Sequence, residues 1–323
     1  MDISIFKDKK IYCVVDSDLD GVTSRIVAEY YLIPLAKTFV LLNTADREMS
    51  EFTMKDAEAA EIVIFVDIAP TLELYEKLTI ELQKIVYIFD HHATSRELLG
   101  ERENYYYDDT RCGAKILFEE LSEGIRPNRT LAGLVNLANT YDTWQLTSPF
   151  WEEAKSLHYV LFSSLYINWN ICKTQSDTEK HQKFVNAQFT KIMRNCQFFF
   201  TALERKAAES ARIKEEASYK KAKDNLSLRI DNCETSYAFV EIGSKISIVM
   251  SRLLDHLGDS VKYLIGYSTW DRTNSKVSLR SRGEFDVSKI AQIHGGGGHK
   301  NASAVELKPL MLAQLRQGKI HLA

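Results

Sequence analysis

Short apolar runs, rich in β-branched residues, alternate with longer amphipathic stretches over the first 90 residues of the chain. Strands of about five residues that alternate with helices are typical of a parallel sheet with helices on both faces. The pattern therefore predicts an N-terminal α/β domain built on a doubly wound parallel sheet. The predicted strands are residues 11–15, 39–42, 62–66 and 85–89, and the predicted intervening helices are residues 22–36, 54–60 and 72–82.

The pattern changes after residue 165. Residues 181–195 and 201–224 are highly charged and contain neither proline nor glycine, which is typical of long connecting helices. Strand-like runs then return around one further helix, so we predict a second, smaller α/β domain. These runs are residues 237–241, 261–270 and 276–282, and the helix is residues 244–257. The predicted boundaries are 1–165 for the first domain, 166–224 for a helical linker and 225–323 for the second domain.

Composition narrows the class of protein. The 323 residues are 45% hydrophobic but contain no apolar run of membrane-spanning length, and the N-terminus lacks the apolar segment of a signal peptide. The five cysteines are scattered without a CxxC pair, which argues against a zinc finger or a disulfide scaffold. We therefore expect a cytoplasmic protein without a membrane partner.

Charge is distributed unevenly along the chain. The formal net charge of −3 argues against a protein that coats long duplex nucleic acid. Residues 225–323 nevertheless carry 13 Lys and Arg against 9 Asp and Glu, a net charge of +4, which leaves −7 for the rest. This division suits an acidic, metal-loaded domain combined with a basic domain that holds an anion.

Three of the predicted strands end in acidic residues or histidines. The carboxyl ends of parallel strands meet at one edge of the sheet, where ligands bind. A further carboxylate follows a predicted helix at 130–138 and would fold over the same edge. The residues are Asp16, Asp18 and Asp20 after the first strand, Asp67 after the third, Asp90, His91 and His92 after the fourth, and Asp142 after the helix.

A single aspartate after a strand is more often a turn former or a helix cap. That explanation does not account for three alternating aspartates in DSDLDG, because uncompensated carboxylates at close range repel one another. Divalent cations relieve this repulsion, and carboxylates combined with imidazoles suit Mn²⁺ or Mg²⁺. The number of ligands is sufficient for two ions, the arrangement that supports phosphoryl hydrolysis.

These motifs resemble a known superfamily. DSDLDG at 16–21, VD at 66–67, DHH at 90–92 and the later Asp142 resemble the four motifs of the DHH phosphoesterases. The segment SLRSRGEFDVSKIAQIHGGGGHKNASA at 278–304 resembles the DHH-associated C-terminal domain. The resemblance covers nearly all of the chain outside the predicted linker, and it is to the oligoribonuclease (nano-RNase) and RecJ-like branch.

The resemblance implies a site for two Mn²⁺ ions, for which Mg²⁺ or Co²⁺ would substitute. The implied ligands are Asp16 and Asp18 for one ion, Asp20, His91 and Asp142 for the other, and Asp67 as the bridge between them. The implied nucleophile is a water between the two ions, whose pKa they depress.

Two further residues of the DHH motif have implied catalytic roles. Asp90 would orient a histidine, and His92 would either clamp the scissile phosphate or protonate the leaving oxygen. One position departs from the pattern of many relatives, which carry a histidine where this chain has Val14. Asp16 stands instead two residues before Asp18, as in RecJ-like exonucleases, so the resemblance implies an all-carboxylate protein shell for the first ion.

The glycine run of the second domain carries the implied substrate site. Backbone without Cβ atoms can approach a phosphate closely and turn its N–H groups inward, and arginine matches phosphate with a planar fork. A flexible loop is the alternative explanation of such a run. The implied substrate-binding residues are Arg280, Ser281, Gly296, Gly297, Gly298, His299, Lys300 and Asn301.

The resemblance implies a phosphodiesterase that releases mononucleotides from very short oligonucleotides. The alternatives are a 3′-phosphoadenosine 5′-phosphate phosphatase and a phosphodiesterase for cyclic or linear dinucleotides. A RecJ-like exonuclease on long single strands is disfavoured, since such enzymes usually carry an additional OB-type domain. A silent nucleotide sensor is disfavoured by the complete ligand set. The sequence leaves open the polarity of degradation, RNA against DNA, and whether the protein forms a homodimer.

Overall fold

The apolar runs at the start of the chain form a five-stranded parallel sheet. The computed structural model describes residues 1–44, 52–268 and 276–323. The strands of this sheet are β1 (Lys10–Val15), β2 (Thr38–Asn43), β3 (Ile62–Val66), β4 (Ile85–Asp90) and β5 (Tyr105–Tyr107). They lie in the order β2-β1-β3-β4-β5, and every pair is parallel. The strands predicted from the sequence are confirmed to within one residue at each end.

Both faces of this sheet are buried. Ile11, Cys13 and Val15 pack into one apolar core, whereas Tyr12 and Val14 pack into the core on the opposite face. Burial on both faces explains why the strands are continuously apolar, and it confirms the doubly wound arrangement. The helices of this region are α1 (Leu19–Leu32), α2 (Met54–Ala59), α3 (Leu72–Glu76), α4 (Ala93–Leu99), α5 (Gly113–Leu121), α6 (Arg129–Asp142) and α7 (Trp151–Leu161).

Two helices occupy most of the predicted linker, α8 (Asp177–Ile192) and α9 (Ala202–Asp224). Phe184 and Val185 of α8 are fully buried in the core that contains α1. The chain divides into two units, 1–209 and 210–323, and the division falls within α9. Lys191 of α8 forms a buried ion pair with Glu204 at 2.7 Å, which fixes the first turn of α9 to the first unit.

The second unit contains a mixed six-stranded sheet. Its strands are β6 (Ser227–Ile230), β7 (Ser236–Ile242), β8 (Tyr263–Ser268), β9 (Lys276–Ser281), β10 (Gly297–His299) and β11 (Ala302–Glu306), and its helices are α10 (Ile246–Leu257), α11 (Val287–Ile293) and α12 (Pro309–Arg316). The strand order is β10-β11-β9-β8-β7-β6, and β7 and β8 are the parallel pair. The smaller C-terminal α/β domain is thus confirmed. The end of the predicted strand 261–270 lies outside the described residues.

Across the described part of the chain, no helix has both the length and the apolar character that crossing a bilayer requires.

Candidate metal centre and active site

Strand register brings the acidic residues into one row. In the sheet Val15 lies opposite Val66, and Val66 lies opposite Phe89, so the next residues along the three strands are Asp16, Asp67 and Asp90. The chain leaves β1 for β2 on one side and returns to β3 on the other. The row therefore lies at the topological switch point, the position at which open α/β sheets bind ligands.

The turn between β1 and α1 is shaped by its aspartates and a glycine. Asp18 caps α1, since its Oδ1 accepts a hydrogen bond from the Gly21 N–H at 3.0 Å. A Cβ on Gly21 would lie 2.0 Å from the Asp16 carbonyl oxygen. The glycine of DSDLDG is therefore required by close backbone packing, and it allows the three aspartates to share one tight turn.

Asp20 is fixed by the first turn of α5. Its carboxylate accepts hydrogen bonds from the backbone N–H groups of Gly113 at 2.6 Å and Ala114 at 2.8 Å, and it has no exposed surface. A Cβ on Gly113 would lie 2.8 Å from the Asp67 backbone nitrogen, so glycine is also required here. These contacts set one carboxylate at a fixed position beside the end of β3.

Asp67 has a left-handed backbone conformation, with φ of 61°, and is 3% exposed. Aspartate tolerates this region better than most residues, but the conformation still carries strain. Its N–H donates to the Phe89 carbonyl at 2.9 Å, which holds the residue against the end of β4. Strain that the surrounding fold maintains at a buried carboxylate is typical of a functional site.

The two histidines of the DHH motif contact different carboxylates. His91 Nε2 lies 3.2 Å from Asp67 Oδ1 and 3.3 Å from Asp142 Oδ2, so it links the end of β3 to the end of α6. His92 Nδ1 lies 2.7 Å from Asp90 Oδ1. The Asp90 carboxylate also accepts the His91 N–H at 2.9 Å, which orients it toward the histidine pair.

The pKa values of these groups show how unfavourable the cluster is without added positive charge. Burial and the nearby carboxylates of Asp20 and Asp18 raise the pKa of both Asp67 and Asp142 well above the usual range. Burial and the Asp18 charge raise the pKa of Asp16 to about 7. A bound cation would relieve the mutual repulsion of these carboxylates and keep them ionised.

The pKa values of Asp90 and His91 are both lowered, in contrast to those of Asp16, Asp67 and Asp142. Burial opposes ionisation of Asp90, but its contacts with His92, Ser95 and His91 together outweigh burial and hold its pKa below the usual value. Burial and the neighbouring His92 lower the pKa of His91. His91 therefore favours the neutral imidazole, the form that binds metal ions.

The residues present fit a divalent cation. Two groups of ligand atoms each lie within 4.8 Å of one another and share His91: Asp67, His91 and His92, and Asp20, His91 and Asp142. Asp142 Oδ2 is buried and lies 3.3 Å from His91 Nε2 but accepts no hydrogen bond from the described residues, as expected of an oxygen that would share a cation with that imidazole. Oxygen and imidazole donors suit Mn²⁺ or Mg²⁺.

The nearby thiol of Cys112 does not favour a different metal ion. Burial, Asp20 and Asp142 raise the pKa of the Cys112 thiol well above its usual value, so it stays protonated. Asp16 and Asp18 belong to neither three-residue group found in residues 1–44, 52–268 and 276–323. Their role as ligands of a first ion stays a prediction.

In the second unit, the glycine run forms strand β10 and the turn before it. A Cβ on Gly296 would lie 2.2 Å from the Ala304 carbonyl oxygen, and a Cβ on Gly298 would lie 2.6 Å from that of Ala302. Gly298 also has a φ of 134°, which side chains rarely adopt. Both glycines are therefore required by the close approach of β11, and Gly297, the first residue of β10, lies between them.

The polar residues near this run have partners within the second unit. The Ser281 hydroxyl donates to the Phe285 carbonyl at 2.6 Å and accepts from Asn301 Nδ2 at 2.9 Å. Arg280 Nη2 donates to Ser247 Oγ at 3.0 Å. Lys300 pairs with Glu284 at 2.7 Å, and His299 is exposed at the end of β10. Substrate contact by Arg280, Ser281, His299, Lys300, Asn301 and the glycines stays a prediction.

Asp16, Asp67 and Asp90, with the residues around them, form the acidic edge of the first sheet. Sequence reasoning missed two asparagines that support this edge. Asn43 ends β2, is fully buried, and donates through Nδ2 to the Asp16 carbonyl at 3.0 Å. Asn139 accepts the Cys112 N–H at 2.9 Å and so holds the residue before Gly113. Asn43 could have been found from the same signal as the aspartates, since it also follows an apolar strand.

The first of the two units carries a carboxylate and histidine centre at the end of a doubly wound sheet. Residues 10–138 match the DHH family, N-terminal domain, and residues 235–318 match the DHHA1 domain. The chain belongs to the DHH phosphoesterase superfamily, in the arrangement with a DHH-associated C-terminal domain.

Several characterised proteins resemble this chain over most of its length. It is 25% identical to the oligoribonuclease NrnB of Bacillus subtilis, over 90% of this chain and 71% of NrnB. It is 22% identical to a 3′,5′-cyclic-nucleotide phosphodiesterase of Helicobacter pylori, over 91% of this chain and 92% of that protein. The structure of RecJ from Thermus thermophilus in complex with Mn²⁺ has the same fold, with a TM-score of 0.55 and 16% identity over 96% of this chain and 51% of RecJ.

Proposed function

We propose that this protein is a divalent-cation-dependent phosphodiesterase that releases mononucleotides from very short oligonucleotides. The observation that carries the proposal is the meeting of carboxylates and imidazoles at the switch point, in two ligand groups that share His91. The superfamily and the names of the two relatives, an oligoribonuclease and a cyclic-nucleotide phosphodiesterase, support phosphodiester hydrolysis.

The metal ligands in this proposal are those implied by the sequence, with Mn²⁺ as the ion. Asp20, His91 and Asp142 would hold one ion, Asp16 and Asp18 would hold a second, and Asp67 would contribute to both sites. Two bound cations would supply the positive charge that the carboxylates lack, would activate water and would stabilise the phosphoryl transition state. RecJ of Thermus thermophilus, which has the same fold, was crystallised with Mn²⁺.

His92 is the residue we assign to the leaving group. The Asp90 carboxylate contacts Nδ1 at 2.7 Å, so contact with a substrate has to be made through Nε2. In this arrangement Nε2–H donates its proton to the leaving oxygen as the P–O bond breaks, and Asp90 stabilises the charged imidazolium that precedes transfer. The second unit contributes substrate binding through Arg280, His299 and the glycine-rich strand.

Cyclic nucleotides are the second candidate substrate. The observation that favours them is the Helicobacter pylori relative, because the match covers 92% of that protein. The chemistry would be the same, since a water opens one P–O bond of a phosphodiester in both cases. The two candidates differ in whether the leaving oxygen belongs to a separate nucleotide.

A panel of substrates with Mn²⁺ tests the proposal. It contains a dinucleotide, a pentanucleotide, a 20-mer, a 3′,5′-cyclic nucleotide and 3′-phosphoadenosine 5′-phosphate at equal concentration. We expect kcat/KM to be highest for two to four nucleotides and to fall beyond about five, because a chain of net charge −3 has little broad basic surface for a long strand. Processive digestion of the 20-mer, or a preference for the cyclic nucleotide, would contradict the proposal.

A further inference from the structure

A pocket opens beside the acidic edge of the first unit. It has a volume of about 270 Å³ and reaches from Asp16, Asp67 and His92 to the segments that follow β3 and β4. Its outer wall is formed by Ile68, Ala69, Pro70 and Leu98, together with Thr71, Thr94 and Ser95. The seven residues of this outer wall are separate from those assigned above to metal or phosphate binding.

The chemistry of the wall indicates what it would bind. Four of the outer residues are aliphatic and three carry hydroxyl groups, and the described residues that line the pocket include neither lysine nor arginine. Such a surface suits a flat heterocycle and a sugar with hydroxyl groups, whereas a second phosphate would need cations. The volume is close to the lower end of small-ligand pockets, roughly 300 Å³, which is enough for one nucleoside.

The segments that form the wall are held in place before any ligand binds. Thr71 caps α3, since its hydroxyl accepts the Leu74 N–H at 3.2 Å. Pro70 is buried and has a fixed φ, and Ile68 is 6% exposed. A preformed wall costs little to order on binding, so it can contribute to affinity.

We propose that this pocket binds the base and sugar of the nucleotide attached to the leaving oxygen. The pocket includes His92, the residue assigned to that oxygen, so its occupant is the group on the leaving side of the scissile phosphate. This inference rests on the proposed function and deepens it, since it makes the leaving nucleoside a determinant of specificity.

Binding measurements with Mn²⁺ present test the pocket without requiring turnover. The probes are a nucleoside monophosphate, ribose 5-phosphate and inorganic phosphate, titrated by calorimetry into wild type and Ala69→Leu. We expect wild type to bind the nucleotide at least about tenfold more tightly than phosphate, because even one methylene group more or less in an apolar pocket changes affinity roughly 10- to 200-fold. Ala69→Leu should lose this preference and keep its Mn²⁺ content and its affinity for phosphate.

Two controls make the outcome decisive. Ala59→Leu places the same substitution on an exposed position of α2 and should leave the preference unchanged. Leu98 is 54% exposed, so Leu98→Ala should fold normally and should weaken nucleotide binding. Leu203→Ala, also at an exposed leucine, should fold normally and leave nucleotide binding unchanged. If Ala69→Leu fails to fold, the Leu98→Ala pair decides.

The proposal is overturned if wild type binds nucleotide and phosphate equally, or if the pocket variants retain the preference of wild type. Failure of the proposed function has a different signature, since wild type would then not hydrolyse a dinucleotide whatever it binds. If the pocket variants lose the preference for nucleotide over phosphate and wild type hydrolyses a dinucleotide, both proposals are supported.

Discussion

The acidic edge of the first sheet and the glycine-rich region of the second unit both carry conspicuous motifs, but the fold uses them differently. At the acidic edge, burial and nearby carboxylates raise the pKa of Asp67, whose side chain is 3% exposed, and of Asp142, whose side chain is 19% exposed. In the second unit, Gly296 and Gly298 make room for a neighbouring strand, and Ser281 is hydrogen-bonded within its own turn.

A conspicuous motif can therefore be present for one of two reasons: it binds a ligand, or it stabilises the fold. Buried like charges destabilise a fold, so their presence indicates a ligand that compensates them. Residues with good internal partners stabilise the fold by themselves, and they bind substrate only if they also present an unused group. Substitutions at the acidic edge and in the glycine-rich region separate these two cases.

Asp67→Asn should lower hydrolysis on the order of 10³-fold or more, because the substitution removes the charge of the carboxylate assigned to both ions. The measurement is kcat/KM on a dinucleotide with saturating Mn²⁺, accompanied by circular dichroism to confirm folding. Asp109→Asn, at an exposed aspartate of the same unit, should retain full activity. Activity of Asp67→Asn near that of wild type would remove the bridging role.

Arg280→Ala and His92→Ala should affect different kinetic constants. Loss of an arginine contact to a phosphate costs about 1.5–3 kcal/mol, so we expect Arg280→Ala to raise KM roughly 10- to 150-fold with Mn²⁺ content unchanged. His92→Ala should instead lower kcat, because it acts on the leaving oxygen. Arg282→Ala, at a neighbouring exposed arginine paired with Asp255, serves as the control. A lower Mn²⁺ content in Arg280→Ala would contradict the assignment.

Gly296→Ala should lower the free energy of unfolding by about 1–3 kcal/mol or more, because the added methyl group meets the backbone of β11. Gly243→Ala is the matched control, since a Cβ there would meet its nearest atom, Ser218 Oγ, at 3.9 Å. Chemical denaturation followed by circular dichroism measures both. Equal stability of the two variants would show that Gly296 is present for a ligand rather than for packing.

Ser281→Ala should lower the free energy of unfolding by about 1 kcal/mol, the usual contribution of one internal hydrogen bond. The physical reason is that Asn301 Nδ2 loses one of its acceptors and the Phe285 carbonyl loses one of its two donors, while Asn301 Nδ2 remains as the other. If KM for a dinucleotide rises more than tenfold while stability is unchanged, Ser281 contacts substrate and its internal role is secondary.

Much of the first unit could be predicted from the sequence because its signals are local. The strands are continuous apolar runs, and Asp16, Asp67 and Asp90 follow them directly, so strand register brings the three together. Asn139 and Gly113 could not be predicted in the same way. Their roles depend on how the start of α5 packs against Asp67 after β3 and against α6, which no local pattern encodes.

The glycine run of the second unit could not be interpreted from the sequence alone. A run of four glycines is compatible with a flexible loop, with a phosphate cradle and with a strand against a close neighbour. The structure shows β10 paired with β11, with Gly298 opposite Ser303. That pairing joins residues on opposite sides of a tight turn, and composition alone does not distinguish it from a loop.

Metal dependence tests the central claim most directly. Purified protein is dialysed against EDTA, assayed on a dinucleotide, and then assayed again after titration with Mn²⁺, with bound Mn²⁺ measured in parallel. We predict that hydrolysis is lost on chelation and returns as Mn²⁺ binds, because the cation relieves the repulsion at the acidic edge and activates the nucleophile. Full hydrolysis in excess EDTA, with no Mn²⁺ bound, would contradict the account.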